Sequence, residues 1–184
     1  NFQTFLVHSA ASLPETGNNY EFHFADWNHD GIQDLVAIQK NQTGSRTTEI
    51  HILNGADFFQ TFLLHSSSAL QETYDNFEFD FKDWDNDGTP DLIAVKESQT
   101  GSGSTELHIY SGVSQFQTPL LHSGTAQTEI NSDYDIAITD WNRDGKLDLV
   151  TIKKDHTNPN NTVELRAYDE VPVIRKSGIT STLS

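Results

Sequence analysis

The chain has 184 residues, with 27 Asp and Glu against 11 Lys and Arg, a formal charge of −16, and neither Cys nor Met. That length suits one domain with a sizeable core, and the missing Cys excludes a disulfide scaffold, a thiolate metal site and a cysteine nucleophile. The acidity argues against sequence-independent binding of nucleic acid and against docking on anionic membranes, and no apolar run reaches the roughly 20 residues a membrane helix needs.

Residue 1 is Asn and no signal peptide stands there, which fits a processed mature chain or a trimmed one. In chain order, the first feature is Phe2-Gln3-Thr4 followed by His8-Ser9. It returns as Phe59-Gln60-Thr61 with His65-Ser66, and as Phe116-Gln117-Thr118 with His122-Ser123, a period of 57 residues. Such a period is that of a propeller blade or solenoid unit. The expected organisation is one domain, 1–184, of three repeats at about 2–58, 59–115 and 116–168, with a divergent tail at 169–184.

Next come alternating apolar positions at Tyr20, Phe22 and Phe24, repeated at Phe77, Phe79 and Phe81 and at Tyr134, Ile136 and Ile138. Period-2 alternation predicts a strand with one buried face. Short Val- and Ile-rich runs at Leu35–Ile38, Leu92–Val95 and Leu149–Ile152 predict a second strand. A third is predicted at Glu49–Leu53, Glu106–Tyr110 and Glu164–Tyr168, where Thr48-Glu49-Ile50-His51 returns as Thr105-Glu106-Leu107-His108 and more weakly as Val163-Glu164-Leu165-Arg166. After turn signals such as Asn54-Gly55 and Ser111-Gly112, a fourth is predicted at Thr61–His65 and Thr118–His122, and also at Thr4–His8. No sustained helical stripe intervenes. Four short strands per repeat predict an all-β fold, a β-propeller of four-stranded blades with three blades per chain.

Between the first and second strands of each repeat lies an acidic loop: Asp26-Trp27-Asn28-His29-Asp30-Gly31-Ile32-Gln33-Asp34, then Asp83-Trp84-Asp85-Asn86-Asp87-Gly88-Thr89-Pro90-Asp91, then Asp140-Trp141-Asn142-Arg143-Asp144-Gly145-Lys146-Leu147-Asp148. Side-chain oxygens stand at positions 1, 3, 5 and 9, with Gly at 6. Ca²⁺ takes six to eight oxygens, and alternate residues of a tight loop can aim theirs at one point. The Gly permits the reversal, and the residue after it, Ile32, Thr89 or Lys146, can offer a backbone carbonyl. An EF-hand would need a bidentate Glu at position 12, where this chain has Ala37, Ala94 and Thr151. A loop of side-chain-to-backbone turns alone is the plain alternative; three copies in register, each crowding like charges, disfavour it. The expectation is one Ca²⁺ per repeat, three per chain, which would bring the net charge from −16 to near −10.

The stretch Phe77–Leu92, read as Phe-x-Phe-x-x-x-Asp-Trp-Asp-x-Asp-Gly-x-x-Asp-Leu, resembles the FG-GAP/VCBS-type repeat. Such repeats build integrin-like β-propellers and secreted bacterial and fungal modules, including fungal calcium-dependent propeller lectins. The resemblance covers about residues 1–168 and implies Ca²⁺ in each of these loops, secretion, and non-catalytic binding of glycans. The literal Phe-Gly and Gly-Ala-Pro elements of the integrin version are absent, which favours the shorter VCBS-like class.

Trp27, Trp84 and Trp141 carry two readings, a packing wedge between blades or a platform for a sugar ring, with the wedge ahead. If the platform holds, the neighbouring His29, Asn86 and Arg143 make the three sugar sites differ. His8, His65 and His122 stand at equivalent places in different repeats and read as separate strand residues. Asn41-Gln42-Thr43 and Asn160-Asn161-Thr162 are glycosylation sequons compatible with secretion. No nucleophile–base pair or phosphate loop argues for an enzyme. Three blades fall short of the usual four to eight, so a head-to-tail homodimer closing a six-bladed ring is expected, with glycans as ligands and neither nucleic acid nor membrane as partner. The alternatives are a calcium-stabilised protein-interaction or adhesion module, or an accessory module of a secreted cell-wall-active enzyme.

Overall fold

The computed structural model describes residue 4, residues 6–155 and residues 162–169. Eleven strands fill it: β1 (Tyr20–Ala25), β2 (Asp34–Gln39), β3 (Thr47–Leu53), β4 (Phe62–Gln71), β5 (Phe77–Lys82), β6 (Asp91–Lys96), β7 (Ser104–Tyr110), β8 (Pro119–Thr128), β9 (Tyr134–Thr139), β10 (Asp148–Lys153) and β11 (Glu164–Tyr168). The one helical element among the described residues is a three-residue 3-10 turn at Gly55–Asp57, and no helix is long and apolar enough to cross a membrane. The fold is all-β.

Two four-stranded sheets run β1-β2-β3-β4 and β5-β6-β7-β8, and a three-stranded sheet runs β11-β10-β9. Within the four-stranded sheets every neighbour is antiparallel, with Ala25 opposite Asp34 and Lys82 opposite Asp91 at the acidic-loop end. The sheets begin at the first strand of the alternating pattern, so the sequence period is cut inside a sheet, between its third and fourth strands. The chain divides into two compact units, Asn1–Tyr134 and Asp135–Ser184. The first holds the two four-stranded sheets, and the second holds the third sheet beyond Tyr134.

The core of the first unit joins Val36 and Ile38 of β2, Ile50 and Ile52 of β3, and Leu64 and Leu70 of β4 to Phe79, Phe81, Leu92 and Ala94 of the second sheet and to Phe116 of the turn before β8. The second strand of each four-stranded sheet is apolar on both faces because both are covered, with Val36, Ala37 and Ile38 fully buried in one and Leu92, Ile93 and Ala94 in the other. The first strand differs between the two sheets. Phe79 and Phe81 are buried, whereas their equivalents Phe22 and Phe24 are 47% and 61% exposed.

Two strand expectations are corrected. The fourth strands β4 and β8 continue past His65 and His122 to Gln71 and Thr128, through a bulge that shifts register between Thr47 and Glu49 and between Ser104 and Glu106. In the segment Thr4–His8, the described residues Thr4 and 6–8 carry no strand, since none of the described strands pairs with them. The tail after residue 169 and the sequon residues Asn160 and Asn161 lie outside the described residues.

Candidate functional site

Each acidic loop is wound so that its carboxylates collect the loop's own N–H groups. In the first, Asp26 accepts from the N–H groups of Asp30 (3.1 Å) and Gly31 (3.0 Å), Asn28 Oδ1 accepts from Asp30 (3.0 Å), and Asp30 Oδ1 accepts from Ile32 (2.8 Å). The second and third loops repeat this pattern with Asp83, Asp85, Asp87 and Thr89, and with Asp140, Asn142, Asp144 and Lys146. Gly31, Gly88 and Gly145 take φ of 85°, 94° and 86°, a conformation open to Gly at little cost. The loop's fourth residue is left-handed too: His29, Asn86 and Arg143, all exposed, have φ of 59°, 59° and 63°.

The ninth-position carboxylates are buried and bridge two segments. Asp34 accepts from Trp27 N–H (2.9 Å) and Gly55 N–H (2.8 Å), and Asp91 from Trp84 N–H (2.8 Å) and Gly112 N–H (2.9 Å). Each thereby pins the turn before the fourth strand onto the acidic loop. Asp148 accepts from Trp141 N–H (2.9 Å), and its buried Oδ1 has no hydrogen-bond partner. The repeat equivalent of Gly112 here is Glu170, outside the described residues.

In the second loop, one oxygen each from Asp83, Asp85 and Asp91 lies within 4.8 Å of the others. Burial pushes the Asp91 carboxyl above its ordinary pKa; the N–H groups of Gly112 and Trp84 oppose this, and the charges of Asp85 and Asp87 add to it. No ion pair brings a basic side chain to these carboxylates among the described residues. Oxygen donors that converge, repel one another and lack a cation fit a hard divalent ion. An oxygen that accepts one N–H keeps a second lone pair for a metal. The residues that could hold it are positions 1, 3, 5 and 9 of each loop, with the carbonyls of Ile32, Thr89 and Lys146.

The tryptophans are placed unequally. Trp27 is half-buried against the core, its ring 5.3 Å from Phe116; Trp84 is half-buried; Trp141 is 57% exposed. At the opposite end of the two four-stranded sheets, the loops after β4, β6 and β8 enclose a cleft of about 700 Å³ lined by Tyr74, Asp75, Asn76, Glu97, Gln99 and Asn131 among others. Tyr74 is 61% exposed there.

The register also joins residues that sequence reading kept apart. His51 stands opposite His65, and His108 opposite His122, with ring centroids 4.4 and 4.0 Å apart. His65 and His122 are strand residues held apart in different sheets, as expected, but each has a local partner across its sheet that the sequence reading did not give it. The repeated Glu-x-His of the third strand was the signal, and only strand register shows what it faces.

Sheets of antiparallel strands at a fixed period, each carrying the same acidic hairpin loop, define a repeat module. Residues 65–151 match the family model described as FG-GAP-like repeat, just under half of the chain, which supports the FG-GAP/VCBS-type assignment. Repeats of this family are typically non-catalytic structural or interaction modules. No curated protein matches the chain significantly.

Proposed function

We propose that this is a secreted, calcium-dependent, non-catalytic glycan-binding protein. The observation that carries the calcium part is the convergence of Asp83, Asp85 and Asp91 in a loop whose donor pattern recurs in all three repeats. Bound Ca²⁺ supplies positive charge that offsets the crowded carboxylates and fixes the loop. The chain's own residues do the rest: the ninth-position Asp ties that loop to the following turn, and the Gly at position 6 allows the wrap.

For the sugar, the cleft beside Tyr74 combines an exposed aromatic face with carboxylate and amide side chains, the mixture that a pyranose with one apolar face and several hydroxyls needs. It lies at the end of the sheets away from the acidic loops, so on this reading Ca²⁺ braces the scaffold and does not touch the sugar. Trp141, exposed beside its loop, is the second candidate platform. Shallow repeated sites bind weakly one at a time, and several on one particle give avidity.

The multivalent particle proposed is a six-bladed ring of two copies. Ser12 N–H donates to Phe59 O (3.0 Å) as Ala69 N–H of β4 donates to Phe116 O (3.0 Å) one repeat later. Residues 9–12 thus occupy the seat that a preceding blade's fourth strand would fill. Phe22 and Phe24 are exposed where Phe79 and Phe81 are packed. Both features support a neighbouring blade from a second copy.

The test is a glycan array with Ca²⁺ and with excess chelator. Binding that needs Ca²⁺ and falls in Tyr74→Ala at unchanged melting temperature is the expected result. Absence of sugar binding under both conditions would retire the glycan reading and leave a calcium-stabilised protein-interaction module.

A further inference from the structure

The two histidine pairs form part of a second kind of cluster. On the second sheet, Glu106 and His108 of β7 share a face with His122 of β8. Glu106 Oε2 lies 3.5 Å from His108 Nε2 and 3.8 Å from His122 Nε2, and one donor atom from each residue falls within 4.8 Å of the other two. The other Glu106 oxygen is already held by Ser102, through its N–H at 3.3 Å and its hydroxyl at 2.8 Å. That fixes the carboxylate and leaves Oε2 toward the imidazoles.

His108 is 9% exposed, and its buried Nε2 has no hydrogen-bond partner. At 3.5 Å this nitrogen and the fixed carboxylate oxygen are at the outer limit of a hydrogen bond, and an ion between them would satisfy both. His122 is exposed over 66% of its side chain, so the cluster opens to water on one side and this ring can turn.

The third repeat shows what the position accommodates. Arg166 stands where His51 and His108 stand, and its Nε and Nη2 donate to Glu164 Oε1 at 2.9 and 2.7 Å. A permanent cation sits on the glutamate there. In the other two repeats two imidazoles replace it.

We propose that Glu106, His108 and His122 bind a divalent transition-metal ion of the zinc class, and that Glu49, His51 and His65 form a weaker copy. Two imidazoles and one carboxylate suit zinc, which takes nitrogen and oxygen ligands at about 2.0–2.1 Å and, in open sites, keeps a fourth position for water. Ligands around such a tetrahedral ion lie about 3.3 Å apart, so the Glu–His separations of 3.5 and 3.8 Å are near that value, and the two imidazole nitrogens, within 4.8 Å of each other, close by a turn of the exposed His122 ring. In the first sheet Glu49 Oε2 is 4.0 Å from His51 Nε2 and the rings are farther apart, which makes that copy weaker. Lys96 opposes the cation at the second sheet, since it stands directly opposite Glu106 in the register of β6 with β7. The first sheet has Gln39 at that place.

The full chain, saturated with Ca²⁺ so that the acidic loops are occupied, is titrated with Zn²⁺ by calorimetry. One tighter and one weaker equivalent are expected. His122→Ala, at an exposed position, should weaken the tighter site at least about tenfold while leaving the zinc-free melting temperature unchanged, and Lys96→Gln should tighten it. A crystal soaked with Zn²⁺ should show anomalous density between Glu106, His108 and His122. Equal zinc affinity in the wild type and in His65→Ala/His122→Ala, or anomalous density elsewhere only, would overturn the proposal and leave the calcium reading untouched.

Discussion

Asp87 and Asp91 lie four residues apart in one loop and separate binding from folding. Asp87 is exposed, and its Oδ1 accepts only from Thr89 N–H. Asp91 is fully buried and accepts from Trp84 and Gly112. Asp87→Ala should therefore change stability in chelator by less than about 1 kcal/mol yet remove one of the three Ca²⁺ equivalents. Asp91→Ala strands two N–H groups and should cost about 2–4 kcal/mol even without metal. Denaturant titration in chelator, followed by calcium stoichiometry, reads both. Gly112 shows the same closeness from the other side, since an added Cβ would meet the backbone carbonyl of Pro90. Gly112→Ala should cost about 1–3 kcal/mol in the same titration, whereas Gly101→Ala, with open space around it, should cost little.

At the scale of elements, the turn before β8 is held in an unfavourable shape by what it buries. Gln115 and Phe116 are consecutive left-handed residues, with φ of 53° and 63°, and Phe116 is fully buried between Trp27 and Phe81 at 5.3 and 5.8 Å. Removing that ring takes away the packing that stabilises the strained turn. Phe116→Ala should cost about 3–5 kcal/mol in thermal or chemical unfolding. Phe59→Ala, at the half-exposed equivalent, should cost clearly less. The strands themselves were legible because alternation and β-branching are local signals, and the loops because the spacing of Asp, Asn and Gly is written in nine residues. The length of β4 and the pairing of His51 with His65 were not, because both depend on register between strands. Glu106, His108 and His122 sit 16 residues apart at the extremes, and no local pattern reports that they meet.

For the whole molecule, the charge of −16 is concentrated: ten of 27 acidic residues lie in three nine-residue loops. A ring of two copies predicts a dimer by size-exclusion chromatography with light scattering; Phe22→Asp/Phe24→Asp, placed on the exposed first-strand face, should give monomer with the fold retained by circular dichroism. A monodisperse wild-type monomer would contradict the ring. Ca²⁺ that binds only the folded loops stabilises by mass action, about 2.7 kcal/mol per site at a hundredfold excess over Kd. The decisive measurement is thermal unfolding of the full chain with Ca²⁺ and with excess chelator, paired with elemental analysis of bound metal. The account predicts three Ca²⁺ per chain and a melting temperature that falls on chelation and returns on adding Ca²⁺ back; identical melting in both conditions with no bound metal would contradict it.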